Sequence, residues 1–416
     1  MRKKVLKIIA IVVAAIFIFS TGFCLGINSS LIKKYITYGS FVNSSESSGL
    51  LGKIYTDDSS EFDTRIIEET LKFTYGNALT EKSKHELVEA AIEGILASLD
   101  DKHTEYFTKE EYEQIMESYS GTMSGIGVVV MMDEDDQTIV VMPIQDTPAF
   151  RAGLKEGDII VKVNGTEIKD TPLESVVSMI KGKEGTEVIL TMFRPKENKE
   201  FEVKIIRERF YIPNLFSKIL EEDIAYIQYI GFQEKGAQKL DEEIQKLIDS
   251  GAKGIIFDLR NNLGGVLDDA VNVSDLFLDE GLIVSVKGRS GSEEISSNYY
   301  AKKGKYTKIP LVVLINGYSA SASEVVAGAL KDSERAILIG EKSFGKGTVQ
   351  VLKELTDGSG IKFTTAKYYL PSGSSVEGKG LHPDIMVKWD PDSEKDVQLE
   401  KAIEEINLLI GKNTSK

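Results

Sequence analysis

Residues 311–330, LVVLINGYSASASEVVAGAL, constrain the fold more than any other stretch of this sequence. Residues 311–315 form a continuous apolar run, which is typical of a buried strand, and Asn316-Gly317 ends it. Apolar residues at helical spacing resume at Ser323 and continue to Leu330. A short buried strand, a turn of small residues and a helix together form the repeating unit of an α/β fold with a parallel sheet.

Ser321 lies in the turn between that strand and that helix, and two interpretations fit it. The N-terminus of a helix offers free backbone N–H groups and a favourable dipole for negative charge, which suits a nucleophile that attacks a carbonyl group. Ser321 and Glu324 also have the S-x-x-E spacing of a capping box, in which the serine only begins the helix. Residues elsewhere in the chain have to decide between the two.

The same alternation of strands and helices continues from about residue 215 to residue 390. One strand at 254–260 ends in the glycine turn Asn261-Asn-Leu-Gly-Gly265 and precedes a helix that starts near Val266. Strands are also predicted at 224–230 and 336–340, and a helix at 235–248. Functional loops of a parallel sheet lie at the carboxyl ends of its strands, so we expect the glycine turn and the serine turn to meet in one crevice.

Lys346 is the candidate general base. It lies between two glycines in the segment FGKGTVQ, and none of the three histidines has a persuasive partner: His85 is in a polar helical stretch, His103 is in a polar turn without an acidic partner, and His382 precedes a proline. A Ser–Lys pair therefore fits better than a Ser–His–Asp triad. Such a lysine has to be neutral, so burial must lower its pKa from about 10.4. A surface lysine in a hairpin and a phosphate-binding loop are the alternatives; the Walker pattern fails because residue 347 is glycine.

Residues 119–198 resemble a PDZ domain in the circularly arranged form of bacterial proteases. The segments DTPAFRAGL and GDIIVKVNG carry this resemblance, together with an order of strands and two helices over some eighty residues. The resemblance implies that a loop binds a peptide's C-terminal carboxylate through its backbone N–H groups, and this loop consists of Gly125, Ile126, Gly127 and Val128. A generic β-rich interaction domain is the alternative.

The N-terminus predicts a membrane anchor. Residues 1–4 are basic and precede an uncharged, largely apolar run, and we assign residues 5–27 to a transmembrane helix. The charge bias places residues 1–4 in the cytoplasm and the catalytic part outside it. A cleaved signal peptide is the competing interpretation. The net charge of −15 argues against a nucleic-acid partner, and one cysteine with three histidines argues against a conventional metal site.

The combination of SASASE, LRNNLGG, FGKGTVQ and GKGLHPDI resembles the carboxyl-terminal processing (tail-specific) serine proteases over residues 65–390. This resemblance implies a ClpP/crotonase-like α/β core with an inserted PDZ domain and no cofactor. It implies Ser321 as nucleophile, Lys346 as base and Gln350 as the residue that orients the lysine. It further implies an oxyanion hole formed by the N–H groups of Ala322 and of Gly264 or Gly265.

The predicted organisation follows from these assignments. A linker at 28–60 leads to a helical segment at 61–118, the PDZ domain at 119–198, the protease core at 199–390, and a C-terminal helix and tail at 391–416. The resemblance implies that the helical segments form a homodimer and that the substrate is a protein with a free C-terminus. A peptide-binding scaffold with an idle core is the rival function, and a crotonase-type acyl-CoA enzyme is a weaker one.

Overall fold

The computed structural model describes residues 62–133, 137–290, 293–390, 393 and 395–414. The described residues divide into two compact units: an inserted unit, Ser120–Pro213, and a main unit formed by the segments on either side of it. Within these residues no helix is both long and apolar enough to cross a bilayer. The predicted anchor at 5–27 and the predicted linker at 28–60 lie outside them.

The main unit begins with two helices that leave their apolar side chains uncovered. They are α1, Arg65–Asn77, and α2, Lys84–Ala97, and neither contains a buried residue. Ser83 begins α2 with a capping box, because its hydroxyl accepts from the Glu86 N–H and its own N–H donates to the Glu86 carboxylate. A short strand, β1 (Glu105–Phe107), and helix α3 (Lys109–Ser120) follow. The sequence predicted helix throughout this segment and missed β1.

The inserted unit contains one sheet with two short helices and a separate two-stranded ribbon. Its elements are β2 (Thr122–Gly125), β3 (Val128–Met132), β4 (Thr138–Pro143), α4 (Pro148–Arg151), β5 (Ile159–Val163), β6 (Thr166–Glu167), α5 (Leu173–Ile180), β7 (Glu187–Arg194), β8 (Lys199–Ile206) and β9 (Glu208–Tyr211). The sheet has the order β3-β4-β5-β7-β8, with β6 paired to β5, and β2 pairs with β9.

The boundary predicted at residue 198 differs from this arrangement. Strand β8 pairs with β7 along its whole length, from Lys199 opposite Arg194 to Ile206 opposite Glu187. The sequence assigned β8 to the protease core because it alternates polar and apolar residues without a visible partner. Its buried residue Ile205 belongs to the apolar core of the inserted unit.

The rest of the main unit is built on the predicted parallel sheet. Its elements are β10 (Leu215–Leu220), β11 (Ile224–Tyr229), α6 (Gly236–Asp249), β12 (Gly254–Asp258), α7 (Leu267–Phe277), β13 (Leu282–Ser290), β14 (Glu293–Tyr300), β15 (Leu311–Ile315), α8 (Ala322–Asp332), β16 (Ile337–Gly340), β17 (Thr348–Glu354), β18 (Gly360–Tyr369), β19 (Ile385–Met386) and α9 (Val397–Thr414). Strands β11, β12, β15, β16 and β19 are parallel neighbours in this order, and β10 pairs antiparallel at the edge. All residues of β12 and β15 are buried, as continuous apolar strands of a covered parallel sheet should be.

A second, antiparallel sheet completes the main unit. It has the order β1-β18-β13-β14, and β17 pairs antiparallel with residues 360–367 of β18 along the opposite edge of that strand. The sequence analysis did not predict this sheet. It matters for the site because β17 begins two residues after Lys346 and carries Gln350.

The C-terminal helix is joined to the end of β12 by a buried arginine. The Arg260 guanidinium donates to the carboxylates of Asp258 and Asp396 at 2.7–3.1 Å and to the side-chain oxygen of Gln398 at 2.9 Å. These bonds fix the chain just before the glycine turn, so the strand predicted to reach residue 260 ends at Asp258.

Candidate active site

The serine turn and the glycine turn lie side by side, as predicted. They follow β15 and β12, which are adjacent parallel strands. Two asparagines join the turns at their start: the Asn261 N–H donates to the Asn316 side-chain oxygen at 3.0 Å, and the Asn316 side-chain nitrogen donates to the Asn261 side-chain oxygen at 2.9 Å. The two turns therefore meet at one edge of the parallel sheet, as the alternation of strands and helices predicts.

Ser321 occupies the strained corner of its turn. Its backbone has φ 59° and ψ −114°, and the residue is fully buried in the structure. A non-glycine residue at positive φ costs of the order of 1–3 kcal/mol and persists only where neighbouring contacts hold it. Such a turn between a strand and a helix presents a serine hydroxyl at the edge of a sheet.

The glycine turn approaches the serine turn too closely for a side chain. A Cβ atom on Gly264 would lie 2.8 Å from the Ala320 oxygen and 3.1 Å from the Ala322 nitrogen. The Asn262 carbonyl oxygen binds the two turns together, because it accepts from the Ala320 N–H at 3.1 Å and from the Ser323 hydroxyl at 2.7 Å. The residues that the resemblance assigns to an oxyanion hole are thus brought together.

The N–H groups of Gly264 and Gly265 differ in whether they donate a hydrogen bond within the structure. The Gly264 N–H donates to the Asn262 side-chain oxygen at 2.9 Å. Among the described residues, the N–H groups of Gly265 and Ala322 make no such hydrogen bond. The sequence left open which glycine donates to an oxyanion, and in this arrangement the Gly265 N–H is the unoccupied one.

Lys346 is buried, with 1% of its surface exposed, and its flanking glycines allow a neighbouring loop to cover it. A Cβ on Gly345 would lie 2.8 Å from the Gly380 nitrogen, and one on Gly347 would lie 2.9 Å from the Glu377 nitrogen. The Gly347 N–H also donates to the Glu377 carboxylate at 2.6 Å. The sequence predicted this close burial from the G-K-G pattern.

Burial lowers the pKa of Lys346 well below its ordinary value, because the ammonium form loses its hydration. The positive charge of Lys362 lowers this pKa further, whereas the negative charges of Glu377 and Asp101 oppose the shift. Lys346 therefore has the electrostatic property that a lysine general base requires.

Ser321 and Lys346 are held near each other through one oxygen atom. Oε2 of Glu324 accepts from the Ser321 N–H at 2.9 Å and from the Lys346 N–H at 2.8 Å. Because both N–H groups bind the same oxygen, the backbone nitrogens of Ser321 and Lys346 must lie close together. The capping box predicted for Ser321 and Glu324 is present, and its carboxylate also holds the candidate base.

Gln350 is buried near this pair but does not make the implied contact. Its side-chain nitrogen donates to the hydroxyls of Thr348 and Thr364 at 2.8 and 3.2 Å. Its side-chain oxygen has no hydrogen-bond partner among the described residues. The orienting role of Gln350 toward Lys346 therefore stays a prediction.

His103 is closer to the site than its sequence context indicated. The residue is 6% exposed rather than on the surface, and its Nδ1 has no hydrogen-bond partner in the described part of the chain. Burial, and then the charge of Lys346, lower the pKa of His103 to about 4. The side chain is thus neutral at pH 7. The polar neighbours of His103 in the sequence gave no signal of this burial, which accompanies the pairing of β1 with β18.

The inserted unit has its own candidate binding loop at residues 125–128. The Gly127 carbonyl oxygen accepts from the Ile144 N–H and from the Thr147 hydroxyl, both at 2.9 Å. The N–H groups of Ile126 and Gly127 donate no hydrogen bond within the described residues. A Cβ on Gly127, which has φ 74°, would lie 2.3 Å from the Thr147 Cβ, so only glycine fits this turn.

These features define a class of protein: an α/β fold with a buried serine at a strand–helix turn, a buried lysine, and a separate β-rich unit. Comparison with known proteins agrees with this class. The sequence model of peptidase family S41 matches residues 223–387, and that of the PDZ domain matches residues 124–205.

One relative, of which this chain covers more than two thirds, establishes the family. The carboxy-terminal-processing protease of Bartonella bacilliformis is 42% identical over 307 residues, which are 73% of this chain and 70% of that protein. A "Probable CtpA-like serine protease" of Staphylococcus aureus is 39% identical over 323 residues, 77% of this chain. This chain covers 64% of the staphylococcal protein, slightly less than two thirds. The chain belongs to peptidase family S41, and it is a serine-type peptidase of the carboxy-terminal-processing type with a PDZ domain.

A solved structure supports the fold alone. The S41 protease structure from Bacteroides fragilis covers 85% of this chain and 99% of its own, with a TM-score of 0.51 and 15% identity.

The buried lysine predicts a stability difference that depends on pH. The folded pKa of Lys346 is lowered, so below about pH 10.4 the unfolded chain binds more protons and the stability of the parent rises with pH. We expect Lys346→Met to be more stable than the parent at pH 7 by about 1–4 kcal/mol, as when other buried charges are replaced by apolar groups. The difference in the free energy of unfolding between Lys346→Met and the parent should become smaller as the pH approaches 10. Urea unfolding between pH 6 and 10 measures it.

Lys342→Met is the matched control, because Lys342 is exposed four residues earlier. A gap that is the same for both variants, or that widens with pH, would contradict the inferred direction of the pKa shift.

Proposed function

We propose that the chain is an endopeptidase in which Ser321 is the nucleophile and Lys346 is the general base. The observation that carries the proposal is the shared Glu324 oxygen, which holds the backbone of a buried lysine against the turn of a buried serine. The lowered pKa of Lys346 supports it, because a neutral amine accepts a proton and an ammonium group does not. No metal or cofactor takes part in this mechanism.

The reaction follows from these assignments. The Ser321 oxygen attacks the carbonyl carbon of the scissile bond while Lys346 takes the hydroxyl proton. The resulting ammonium group returns this proton to the leaving amine as the C–N bond breaks, which leaves an acyl-enzyme. Water then attacks the ester while Lys346 accepts its proton. The ester bond to Ser321 breaks, Lys346 returns this proton to the Ser321 oxygen, and the acyl group leaves as a carboxylic acid.

The N–H groups of Ala322 and of one glycine of the 264–265 pair stabilise the oxyanion in both steps. The close contact of Gly264 with Ala320 and Ala322 supports this assignment. Loss of one such donor typically costs about 10²–10³ in rate.

We further propose that the PDZ domain selects substrates by their free C-terminus. The N–H groups of Ile126 and Gly127 are the donors available to a carboxylate in the segment from Gly125 to Val128. The substrate chain then pairs with the adjacent strand β3, as a peptide does when it extends a sheet. The unoccupied donors and the strict need for glycine at 127 support this role.

The assignment of the dyad is tested by removing each side chain. We expect Ser321→Ala and Lys346→Ala each to lower kcat by about 10⁴-fold or more, because the nucleophile and base act as a unit. Both should also abolish labelling by a fluorophosphonate probe. Cleavage of an unstructured protein with an apolar C-terminus measures kcat.

Ser274→Ala is the control, since Ser274 is a buried helical serine whose hydroxyl bonds only the Ala270 oxygen. If Ser321→Ala kept its activity and Ser323→Ala did not, the nucleophile would be Ser323. A parent chain that bound the protein but neither cleaved it nor reacted with the probe would be an idle scaffold.

The tail preference is tested with one substrate in two forms. A chain with a free apolar C-terminus should be cut faster than the same chain with an amidated C-terminus, by about tenfold or more in kcat/KM, since the amide cannot accept the charge-assisted hydrogen bonds. Gly127→Ala should reduce this preference, because its Cβ clashes with Thr147. Equal rates for both forms in the parent would remove the carboxylate-binding role from residues 125–128.

We also propose a single-pass membrane anchor at residues 5–27, with the catalytic part outside the cytoplasm, and a homodimer. The basic residues 1–4 and the apolar run that follows support the anchor. Large apolar side chains on and beside α1 and α2 that remain exposed support the dimer: Ile66, Phe73, Leu79 and Ile95.

One comparison tests both of these proposals. The full chain should sediment with membranes after a carbonate wash, and the chain from residue 62 should be soluble and have the mass of a dimer by light scattering. A full chain in the soluble fraction would refute the anchor. A soluble chain with the mass of a monomer at micromolar concentration would refute the dimer.

A further inference from the structure

Glu324 is a fully buried carboxylate that binds four donors from two segments of the chain. Its Oε2 accepts from the N–H groups of Ser321 and Lys346, as described above. Its Oε1 accepts from the Ser343 hydroxyl at 2.5 Å and from the Gly345 N–H at 2.7 Å. A carboxylate has about four acceptor positions, so each of them is used, and three of the four go to the segment that carries Lys346.

Tyr368 binds the same two residues through their carbonyl groups. Its hydroxyl is 2.7 Å from the Lys346 oxygen and 3.2 Å from the Ser321 oxygen, and its ring is completely buried. A tyrosine hydroxyl has one proton, so it donates mainly to Lys346 and shares this proton with Ser321. Burial raises the pKa of Tyr368 well above its ordinary value, so the proton stays on the oxygen.

The backbone at both positions needs such external bonds. Ser321 has a positive φ, which neighbouring contacts must stabilise. Lys346 lies between Gly345 and Gly347, which restrict the backbone less than any other residues do. Other bonds hold each segment singly, such as Ala320 N–H to the Asn262 oxygen and Gly347 N–H to the Glu377 carboxylate, whereas Glu324 and Tyr368 each bond Ser321 and Lys346 together.

We propose that Glu324 and Tyr368 are positioning residues that together set the distance between the Ser321 hydroxyl and the Lys346 amine. Glu324 binds the N–H groups of the two residues and Tyr368 binds their carbonyl oxygens, so each residue is fixed on both sides of its Cα. The inference depends on the proposed Ser–Lys mechanism, because Glu324 and Tyr368 would act only by positioning Ser321 and Lys346. Neither Glu324 nor Tyr368 supplies a reacting atom. Its consequence is that proton transfer, and not substrate binding, depends on these two side chains.

Tyr368→Phe is the cleaner test, because it removes one oxygen and keeps the ring that fills the core. We expect kcat to fall by about 10–100-fold with KM changed less than twofold, since a displacement of about 1 Å at the reacting groups costs about 10²-fold. The second-order rate of fluorophosphonate labelling at Ser321 should fall by the same factor. Steady-state kinetics and labelling on the full chain measure both quantities.

Tyr306→Phe is the matched control. Tyr306 is also a buried tyrosine of the main unit, and its hydroxyl donates to the half-buried Asp241 carboxylate at 2.6 Å. It should lower the unfolding temperature as much as Tyr368→Phe does and leave kcat and the labelling rate unchanged. Equal effects of the two variants on kcat would mean that Tyr368 acts only through stability and would overturn the proposal.

Glu324→Gln supplies an independent test. The amide keeps the size of the side chain but turns an NH₂ group toward two donors, so one pair of bonds is lost. We expect kcat to fall by about 10²-fold or more, again with little change in KM. The double variant should lose less than the product of the two single losses, because both residues hold the same pair.

The outcomes separate this inference from the mechanism on which it depends. Full activity of Ser321→Ala would refute the Ser–Lys mechanism itself. The other informative outcome is an inactive Ser321→Ala variant and a Tyr368→Phe variant with the kcat and labelling rate of the parent. It would leave the Ser–Lys mechanism intact and refute the positioning role of Tyr368. If Glu324→Gln fails to fold, Tyr368→Phe alone decides.

Discussion

The hydrogen bonds to the Glu324 carboxylate are the constraint on which the catalytic part of this molecule depends. A buried carboxylate loses its hydration, and burial accordingly raises the pKa of Glu324 even though the four hydrogen bonds act in the opposite direction. The group is tolerable in the interior because no acceptor position is left empty. The same bonds that compensate for its burial also join the turn at Ser321 to the segment that carries Lys346.

The rest of the main unit provides rigid supports for these segments. The parallel strands β12 and β15 place two turns next to each other, and the asparagines 261, 262 and 316 join these turns by hydrogen bonds. The antiparallel sheet contributes β17 and β18, which follow Lys346 and carry Tyr368. The candidate site therefore lies between the two sheets: Ser321 and Gly265 follow strands of the parallel sheet, and Lys346 precedes β17 of the antiparallel sheet.

The sequence predicted the parallel sheet well, because each strand and helix has its own apolar pattern. The turn at Ser321 and the burial of Lys346 were also predictable from local sequence. Ser321 stands where a helical pattern begins, and glycine on both sides of Lys346 permits close packing. Long-range pairing was not predictable in this way. Strand β8 was assigned to the wrong unit, and β1 was missed. The sequence of a strand does not identify the distant strand with which it pairs.

The contacts of Tyr368 and the burial of His103 were missed for a related reason. Tyr368 is one aromatic residue in a strand that contains others, and only the folded structure shows that its hydroxyl bonds the backbone of two distant residues. The turn with His103 was predicted from its polar neighbours, whereas its burial follows from the pairing of β1 with β18. Gln350 shows the converse, because its position was predicted and its contact to Lys346 is not formed.

The backbone conformation of Ser321 also limits which residues can replace this proposed nucleophile. At φ 59° a second substituent on Cβ is strongly disfavoured, so threonine does not fit this corner even though it carries the same hydroxyl group. Cysteine has an unbranched Cβ and meets the backbone as serine does. The turn thus separates two chemical substitutions that appear equally conservative in the sequence: it admits a change of the reacting atom and excludes an additional methyl group.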